Sequence, residues 1–324
     1  MKKILIIRMS SIGDIVLTTP VIRCLKQQIN HVELHFLIKK SFLPVIEHNP
    51  YISRIHVYDG DLKQIIQSLK NENFDFVVDL HKNIRSRRII NALKVPFASF
   101  PKLNFKKWLL VNYNINILPD SHIIDRYFKA VQSLSVVNDG AGLDYFIPDK
   151  DEIKANDLPE GVFSNYIALV VGGAHFTKQI PVSKAVDICN LFSDPVIVCG
   201  GMSDYEKAVE IVSQSNGTVI NACGKYNLNQ SASLIKNAKK VITSDTGLMH
   251  IAAAFQKPIF SLWGNTVPEF GMYPYMPQHP ERSKILEVKR LRCRPCSKIG
   301  YKKCPRKDFM CMMDMKIDKE TFEF

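Results

Sequence analysis

Short apolar runs alternate with amphipathic stretches along the whole chain, and this alternation constrains the fold more than any other feature. Strands are predicted at 3–8, 32–38, 54–58, 75–80, 96–100, 166–172, 195–200, 218–221, 239–243, 258–262 and 284–288. Helices are predicted near 14–28, 41–48, 61–71, 84–93, 122–134, 181–192, 203–214, 228–238 and 246–255. Strands separated by helices pair in parallel through right-handed crossovers, so the sequence predicts an α/β protein with doubly wound parallel sheets.

The length of 324 residues suits two domains of about 150 residues each. The polar segment 139–165 lacks helical periodicity and is interpreted as the linker. We therefore predict domains at 1–150 and 151–290, followed by a basic, cysteine-rich tail at 291–324. No run of eighteen apolar residues is present, so no membrane span is predicted. No signal peptide precedes the first strand, so we expect a cytoplasmic protein.

The net charge of +12 is concentrated in two segments. Residues 81–107 hold eight Lys or Arg and no acid, and residues 282–307 hold eleven against Glu287 alone. Two such segments indicate a polyanionic partner, which is a nucleic acid, an anionic membrane or a phosphorylated substrate. The alternative for each segment is a solvated basic face.

The segment 244–254, Ser-Asp-Thr-Gly-Leu-Met-His-Ile-Ala-Ala-Ala, stands where an apolar strand passes into a helix of small residues. The first turn of a helix has unpaired N–H groups and the positive end of the dipole, which suit a phosphate. Gly247 lets a diphosphate approach the backbone, Thr246 adds a hydroxyl, and His250 faces the same mouth one turn later. The alternative is an ordinary helix with Asp245 or Ser244 as its N-cap.

Near the start of the chain, the first strand passes into Met-Ser-Ser-Ile-Gly-Asp at 9–14 before a helix begins. Loops at the carboxyl ends of strands line the ligand crevice of open α/β sheets. Ser10, Ser11, Gly13 and Asp14 are therefore predicted at the mouth of an active site. Asp14 is interpreted either as a helix N-cap or as a general base.

Common cofactor and metal motifs are missing or weak. No G-x-G-x-x-G follows a strand and no Walker lysine loop is present, which argues against a dinucleotide dehydrogenase and a P-loop NTPase. The triplet Asp59-Gly60-Asp61 has the D-x-D form of some metal-dependent sugar transferases. Its place between a strand and a helix favours a glycine turn with Asp61 as the N-cap.

The motifs at 10–14 and 245–254 together resemble those of glycosyltransferase family nine, the ADP-heptose:lipopolysaccharide heptosyltransferases. Residues 79–86 resemble the family's D-L-x-x-N-x-R-S segment near the acceptor, and residues 122–127 resemble its H-x-x-x-R-Y helix. Gly173 and Ala174, followed by Lys-Gln-Ile-Pro at 178–181, resemble its glycine turn and K-x-W-P motif, with Ile180 in place of Trp. The resemblance covers almost the whole chain. It implies a GT-B fold, in which two facing Rossmann-like domains hold the active site between them.

The resemblance also implies roles for residues. Asp14 would be the catalytic base of an inverting, metal-independent transfer that needs no cofactor. The donor-binding residues would lie in the second domain and are Gly173, Ala174, Lys178, Asp204, Asp245, Thr246, Gly247 and His250. The acceptor-binding residues would lie in the first domain and are Ser10, Ser11, Gly13, Lys82, Arg85 and Arg88. Asp204 is interpreted either as a ligand of the ribose hydroxyls or as a helix cap.

The substrates implied by the resemblance are ADP-heptose and a phosphorylated lipid A–inner core glycolipid. Because such an acceptor lies in the inner leaflet, we expect the protein to be peripheral at the inner membrane. Trp108, Leu109 and Leu110, beside Lys106 and Lys107, either touch lipid or belong to the core.

The tail holds Cys293, Cys296, Cys304 and Cys311 in a C-x2-C-x7-C-x6-C arrangement. Four thiolates suit tetrahedral zinc, and the first pair has ligand spacing, so structural zinc is one interpretation. Packed or free thiols are the other, because the later spacings are irregular for a zinc ribbon.

Two further functions compete with this assignment. The same fold and mechanism would serve a different nucleoside diphosphate sugar, since the motifs do not determine the base or the sugar. A nucleic-acid binding protein with a basic zinc tail belongs to a different class. That class leaves Asp14 and Lys178 without a role, so no nucleic-acid partner is expected.

Overall fold

The computed structural model describes residues 2–163 and 165–324. The chain forms two compact units, the first spanning Met1–Lys102 and Ser121–Phe146 and the second spanning Leu103–Asp120 and Ile147–Phe324. Each unit is built on its own sheet, in which every strand pairing is parallel. The predicted α/β class with two parallel sheets is therefore confirmed.

The first sheet has five strands and the second has six. The strands are β1 (Lys2–Ile7), β2 (Val32–Lys39), β3 (Arg54–Tyr58), β4 (Phe76–Asp79), β5 (Phe97–Ser99), β6 (Ile167–Val170), β7 (Val196–Cys199), β8 (Val219–Asn221), β9 (Lys240–Ser244), β10 (Ile259–Trp263) and β11 (Ser283–Glu287). Their orders are β3-β2-β1-β4-β5 and β11-β10-β9-β6-β7-β8. Both are Rossmann-type orders, in which the chain reverses direction beside the first strand and leaves a ligand crevice at the carboxyl ends.

Eleven α-helices connect or follow these strands in the described residues. They are α1 (Ile12–Val16), α2 (Thr19–Gln28), α3 (Leu62–Lys70), α4 (Ile84–Leu93), α5 (Asn104–Tyr113), α6 (Ile123–Phe128), α7 (Val182–Asn190), α8 (Tyr205–Gln214), α9 (Leu228–Asn237), α10 (Gly247–Ala254) and α11 (Met310–Met313). Short 3₁₀ turns occupy Lys40–Val45, Gln132–Leu134, Asp149–Asp151, Ala155–Asp157, Phe176–Lys178, Met202–Asp204, Pro268–Phe270, Pro280–Arg282 and Glu320–Phe322. Among residues 2–163 and 165–324, no helix is both long and apolar enough to cross a membrane.

The predicted elements agree with the structure except where proline or weak patterning intervenes. The helix predicted at 14–28 is two helices, because a second one begins at Thr19 with Pro20 in its first turn. The helix predicted at 41–48 is a 3₁₀ turn that contains Pro44. The helix predicted at 122–134 ends at Phe128, and the sequence pattern predicts neither α5 nor α11.

The tail is part of the second unit. Its side chains Phe309, Cys311, Met312, Met315 and Phe322 are buried in the same core as β6, β7 and β10. The same core includes Ile188 of α7 and Ile211 of α8, so the tail packs as part of the second unit.

Candidate active site

In the first unit, the loop after β1 places a carboxylate against a buried guanidinium. The Nη2 atom of Arg8 lies 2.6 Å from Oδ1 of Asp14. The other carboxylate oxygen, Oδ2, accepts hydrogen bonds from the hydroxyl of Ser11 at 2.7 Å and from its backbone N–H at 3.3 Å. Ser11 is the N-cap of α1, so Asp14 is the third residue of that helix and the N-cap interpretation of Asp14 is wrong.

Arg8 is fixed by the surrounding backbone as well as by Asp14. Its Nε atom donates to the Ser10 carbonyl at 2.8 Å, and its Nη1 atom donates to the Leu80 carbonyl and, at 3.2 Å, to the Tyr127 hydroxyl. Burial alone would lower the pKa of Arg8, but the charge and hydrogen bond of Asp14, together with Tyr127 and Asp79, more than offset this, and the pKa is raised. The guanidinium is therefore a permanent cation that holds Asp14 in one orientation.

The carboxyl end of β4, next to β1, carries the second loop of this unit. Asp79 is buried, and its Oδ1 atom accepts from the N–H groups of His81 and Lys82 at 3.0 and 2.8 Å. Its Oδ2 atom accepts from the Ser86 hydroxyl at 2.9 Å, which ties the loop to α4. The acidic residue and the serine of the D-L-x-x-N-x-R-S segment thus shape this loop, and Asn83 caps α4.

His81 lies within this loop and stays neutral. Burial, followed by the charges of Arg8 and Lys102, lowers the pKa of His81 to about 3. The Nζ atom of Lys102 donates to the His81 carbonyl at 3.3 Å, and burial lowers the pKa of this lysine also. At neutral pH the loop therefore presents a neutral imidazole beside two cations.

The predicted acceptor cations lie on the surface of the same unit. Lys82, Arg85 and Arg88 are exposed, and Lys82 donates to the Phe100 carbonyl at 2.9 Å. In the described part of the chain, neither Arg85 nor Arg88 forms an ion pair with an acid. Both guanidinium groups are thus available to an anionic ligand.

In the second unit, the start of α10 follows the carboxyl end of β9. Thr246 is the N-cap of this helix, and its side chain makes no capping hydrogen bond. Neither Asp245 nor Ser244 is the cap, so the alternative of an ordinary helix capped by one of them is wrong. His250 lies one turn along the helix and is only 2% exposed, which places it among packed side chains.

Lys178 and Asp245 meet beside this helix start. Their Nζ and Oδ2 atoms lie 2.6 Å apart, and the Thr266 hydroxyl donates to the same carboxylate oxygen at 2.9 Å. A Cβ atom added to Gly173 would lie 3.5 Å from the Lys178 Cβ and 3.6 Å from the Thr246 Cγ2. The glycine turn, the lysine and the helix start therefore form one cluster at the carboxyl ends of β6 and β9, and Ala174 continues the turn.

The glycine turn is built around Asp204. This residue is buried, and its Oδ2 atom accepts from the Gly201 N–H at 2.9 Å. A Cβ atom on Gly172 would lie 2.3 Å from that oxygen, and one on Gly200 would lie 2.9 Å from it. Asp204 is the N-cap residue of α8 by position, but its side chain makes no capping hydrogen bond to that helix and instead accepts the Gly201 N–H. The two glycines are required because the Asp204 side chain packs against their backbone.

The tail holds the loop that carries Lys178. The Thr177 N–H donates to the Tyr301 carbonyl at 3.2 Å, and the Tyr301 N–H donates to the Thr177 hydroxyl at 2.8 Å. Arg294 anchors the tail through carbonyls of Gly264 and Thr266, at 2.6 and 3.0 Å. Ile180, which replaces the tryptophan of the K-x-W-P motif, is fully buried in the core.

The four tail cysteines are neighbours but are not gathered as metal ligands. Burial, followed by the charges of Cys293 and Cys304, raises the pKa of Cys296, and burial raises that of Cys311 to about 12. In residues 2–163 and 165–324, one group of three or more His, Cys, Asp or Glu side chains has ligand atoms that all lie within 4.8 Å of one another. That group is His35, His56 and Glu72, and it contains no cysteine. The four cysteine sulfurs are therefore not assembled as the ligands of the predicted zinc site in this structure.

A family model, that of glycosyltransferase family 9 (heptosyltransferase), matches residues 62–303, three quarters of the chain. The chain belongs to glycosyltransferase family 9. The match includes the loop after β4 and the start of α10, and it confirms the family predicted from the motifs. The protein is therefore a glycosyltransferase.

Individual relatives and structures agree with the family. Lipopolysaccharide heptosyltransferase 1 of Campylobacter coli is 25% identical over 299 residues, which cover 82% of this chain and 84% of that protein. The fold is similar to that of a family 9 glycosyltransferase from Veillonella parvula, with a TM-score of 0.76, 22% identity and coverage of 99% and 95%. It is also similar to Escherichia coli heptosyltransferase WaaC with ADP-2-deoxy-2-fluoro heptose, with a TM-score of 0.67, 19% identity and coverage of 88% and 93%.

The residues that hold Asp14 were missed by sequence reasoning. The sequence pattern indicates only that Arg8 ends an apolar strand and that Tyr127 belongs to a distant helix motif. In the structure, the Arg8 Nη1 atom donates to the Tyr127 hydroxyl at 3.2 Å. The one sequence signal for Arg8 is that a charged residue ends a buried apolar run. Burying an unpaired charge is energetically costly, so such a residue is expected to have a partner. Nothing in the spacing of residues 8 and 127 indicates that they are in contact.

Proposed function

We propose that this family 9 glycosyltransferase transfers heptose from ADP-heptose to the phosphorylated inner core or lipid A part of a lipopolysaccharide precursor. The names of its relatives and the ADP-heptose analogue in the WaaC structure support this choice of substrates. We further propose that the transfer inverts the anomeric centre and does not depend on a metal ion. In this proposal Asp14 is the base, and the cluster around Lys178 binds the diphosphate of the donor.

The observation that carries the proposal is the cluster of Gly173, Lys178 and Thr246 at the start of α10. A helix start without a capping side chain offers backbone N–H groups and a positive dipole to a diphosphate. Lys178 adds a full positive charge, and Asp245 fixes its Nζ atom at 2.6 Å. These groups would stabilise the charge that develops on the ADP leaving group.

In the donor site, Gly173, Ala174, Lys178, Asp245, Thr246 and Gly247 would surround the diphosphate. His250 is proposed to support the helix from beneath, because it is buried. Asp204 would shape the turn and could also reach the ribose once a nucleotide is bound. The supporting feature is that all of these residues lie in the second unit, at or after the carboxyl ends of β6, β7 and β9.

Asp14 would act as the base. As the acceptor hydroxyl oxygen attacks C1 of the heptose, its proton passes to the Asp14 carboxylate, and the C1–O bond electrons leave with ADP. Arg8 and Ser11 hold the two carboxylate oxygens in place, which supports this positioning role. Attack on the face opposite the leaving group gives inversion. The charges from Lys178 and α10 supply what a metal ion supplies in D-x-D enzymes, and Asp61 of the D-x-D triplet instead caps α3.

The acceptor would bind to the first unit. Ser10 and the N-cap Ser11 lead into α1, and Gly13 precedes Asp14 within that helix. Lys82, Arg85 and Arg88 are exposed cations in the loop after β4 and on α4. Arginine pairs with phosphate through two parallel hydrogen bonds, which suits a phosphorylated glycolipid. Because that lipid is anchored in a bilayer, we propose that the protein works on the cytoplasmic side, at the surface of the inner membrane.

A structural zinc ion bound by Cys293, Cys296, Cys304 and Cys311 is a separate proposal, and the mechanism does not use it. Its support is the C-x2-C spacing of the first pair of cysteines. Metal analysis of the purified protein tests it. One equivalent of zinc that is lost in Cys293→Ser is expected, and a metal-free, fully folded protein would contradict it.

Thermal shift with ADP, UDP, GDP, CMP and tRNA, each with and without EDTA, tests the donor assignment. A ligand at a hundred times its dissociation constant stabilises a fold by about 2.7 kcal/mol, which is readily measured. We expect a shift with ADP that persists in EDTA. A shift with another nucleotide alone would favour a different sugar donor, and a response to tRNA alone would favour the nucleic-acid class.

A further inference from the structure

Helix α5 and the segment after it carry large apolar side chains that remain in solvent. Phe105 is 68% exposed, Trp108 is 43% exposed and Tyr113 is 61% exposed. Ile115 and Ile117 are also exposed. The Trp108 ring lies 6.1 Å from that of Phe105 in a stacked arrangement and 5.3 Å from that of Tyr113. The three rings form one exposed aromatic surface, and Ile115 and Ile117 follow it in the sequence. These five residues are here called the α5 surface.

The α5 surface is separate from the part of the helix that packs into the protein. The opposite side of α5 packs against the rest of the second unit, because Leu110 is buried against Val267 and Phe270. Val111 packs against the same pair. The alternative that Trp108, Leu109 and Leu110 belong to the core is therefore wrong for Trp108 and right for Leu110. Contiguous exposed aromatic residues on a helix that is already packed on its other side indicate a binding surface for another molecule or a membrane.

Cations lie beside the α5 surface. Lys106 is half-buried and lies between Phe105 and Trp108 in the sequence of α5, whereas the Nζ atom of Lys107 lies over the Phe270 ring, 5.3 Å from its centroid, on the packed side of the helix. The side chain of Asn114 donates to the Arg292 carbonyl at 3.2 Å, which brings the exposed Arg292 to the end of α5. Lys289 and Arg290, also exposed, precede it closely in the sequence. Residues 103–119 and 288–307 contain no acid.

We propose that the α5 surface docks the protein onto an anionic phospholipid bilayer. Aromatic rings prefer the boundary between headgroups and acyl chains, where one edge is apolar and the other is wet. Lysine and arginine beside them can reach anionic headgroups while their stems stay on apolar surface. Charge complementarity thus favours a bilayer over a neutral apolar partner. The inference deepens the proposed function, on which it rests, by naming the surface that meets the membrane.

The two tryptophans make the binding directly measurable. Trp263 is fully buried, whereas Trp108 is exposed at the centre of the α5 surface. Phosphatidylglycerol vesicles should therefore shift the emission of Trp108 to shorter wavelength, and brominated lipids should quench it. Phosphatidylcholine vesicles should have a much smaller effect. In Trp108→Phe, the remaining emission of Trp263 should not respond to either vesicle.

Variants test the contacts separately by vesicle sedimentation. Phe105→Ser should weaken partitioning to phosphatidylglycerol vesicles tenfold or more, roughly as expected for an aromatic ring that is no longer buried. Lys106→Gln and Arg292→Gln should each weaken it about fivefold, and high salt should do the same. Val209→Ser is the control, because Val209 is an exposed apolar residue on α8, away from this surface.

The outcomes separate this inference from the proposed function. Phe105→Ser should keep transfer to a water-soluble, delipidated acceptor and lose transfer to the intact, lipid-anchored acceptor in vesicles. The docking surface is wrong if wild-type protein ignores anionic vesicles, or if Phe105→Ser binds them as well as Val209→Ser does. It is also wrong if Phe105→Ser changes only self-association, since the surface then joins two copies of the chain. Vesicle binding without any transfer would contradict the proposed function alone.

Discussion

At the scale of the residue, Asp14 combines a helix-start contact with an ion pair. Its Oδ2 atom accepts from Ser11, and its Oδ1 atom faces Arg8. Sequence reasoning placed Asp14 at the mouth of a site because of its position after β1. The guanidinium that orients it was not predictable, since the contact depends on the fold bringing Tyr127 and the Leu80 carbonyl to Arg8.

Asp14→Asn should lower kcat by at least about a hundredfold, the usual scale for a general base, and leave ADP affinity unchanged. The amide keeps the shape of the side chain but cannot take the acceptor proton. Steady-state kinetics and calorimetry measure the two quantities. Asp125→Asn is the matched control, because Asp125 accepts the His122 N–H at 2.8 Å from the same position of another helix. Turnover of Asp14→Asn equal to that of the control would remove Asp14 as the base.

Lys178→Met should weaken ADP binding about ten- to a hundredfold, because a hydrogen bond to a charged group contributes about 1.5–3 kcal/mol. Calorimetric titration with ADP measures the loss. Lys239→Met is the control, since Lys239 pairs with Asp194 at 3.0 Å and precedes the amino end of β9, on the opposite edge of the sheet. Equal ADP affinity in the two variants would argue against a diphosphate contact at Lys178.

At the scale of the element, the glycine turn after β6 contains two glycines with different reasons to be glycine. A Cβ on Gly172 meets the Asp204 carboxylate at 2.3 Å, whereas a Cβ on Gly173 meets only ordinary contacts of 3.5 Å or more. The sequence predicted the turn but not this difference, because Asp204 belongs to a separate loop.

Gly172→Ala should lower the free energy of unfolding by about 1–3 kcal/mol, the usual cost of overpacking. Gly173→Ala should leave stability nearly unchanged and weaken ADP binding, because its methyl group occupies the space where a diphosphate would approach. Urea unfolding and ADP titration of both variants measure this. If Gly173→Ala binds ADP like the wild type, the diphosphate does not approach this turn.

The pairing of β2 with β3 brings together two buried histidines, and this contact predicts a pH dependence. The Nδ1 atom of His35 lies 2.9 Å from Nε2 of His56. Burial, followed by the charge of His35, lowers the pKa of His56 to about 4. Between about pH 6.5 and 4 the unfolded chain therefore binds a proton that the folded chain does not, so stability falls as the pH falls.

This histidine should contribute a loss of about 1.4 kcal/mol per pH unit over that range. Urea unfolding at pH 7 and pH 5 measures the slope. His56→Gln should reduce it, and His31→Asn, at an exposed position before β2, should not. A slope that is the same in both variants would mean that His56 is not the group that titrates.

At the scale of the whole molecule, the alternation of strands and helices was enough to predict two parallel sheets. Apolar strand runs and cap residues are local signals, and they placed Asp61, for example, correctly as the N-cap of α3. The packing of the tail was not predictable in this way. The contact of Tyr301 with Thr177 joins segments more than a hundred residues apart. The sequence shows only a glycine before Tyr301, and the structure explains it, because Gly300 has a φ of +115°.

The central claim is that this chain transfers heptose from ADP-heptose through Asp14 and without a metal ion. The most direct measurement is mass spectrometry of a phosphorylated lipid A–inner core acceptor incubated with ADP-heptose, EDTA and either wild-type protein or Asp14→Asn. The account predicts one heptose added by the wild type in EDTA and at least about a hundredfold slower addition by the variant. Transfer that stops in EDTA, or that proceeds equally in both proteins, would contradict it.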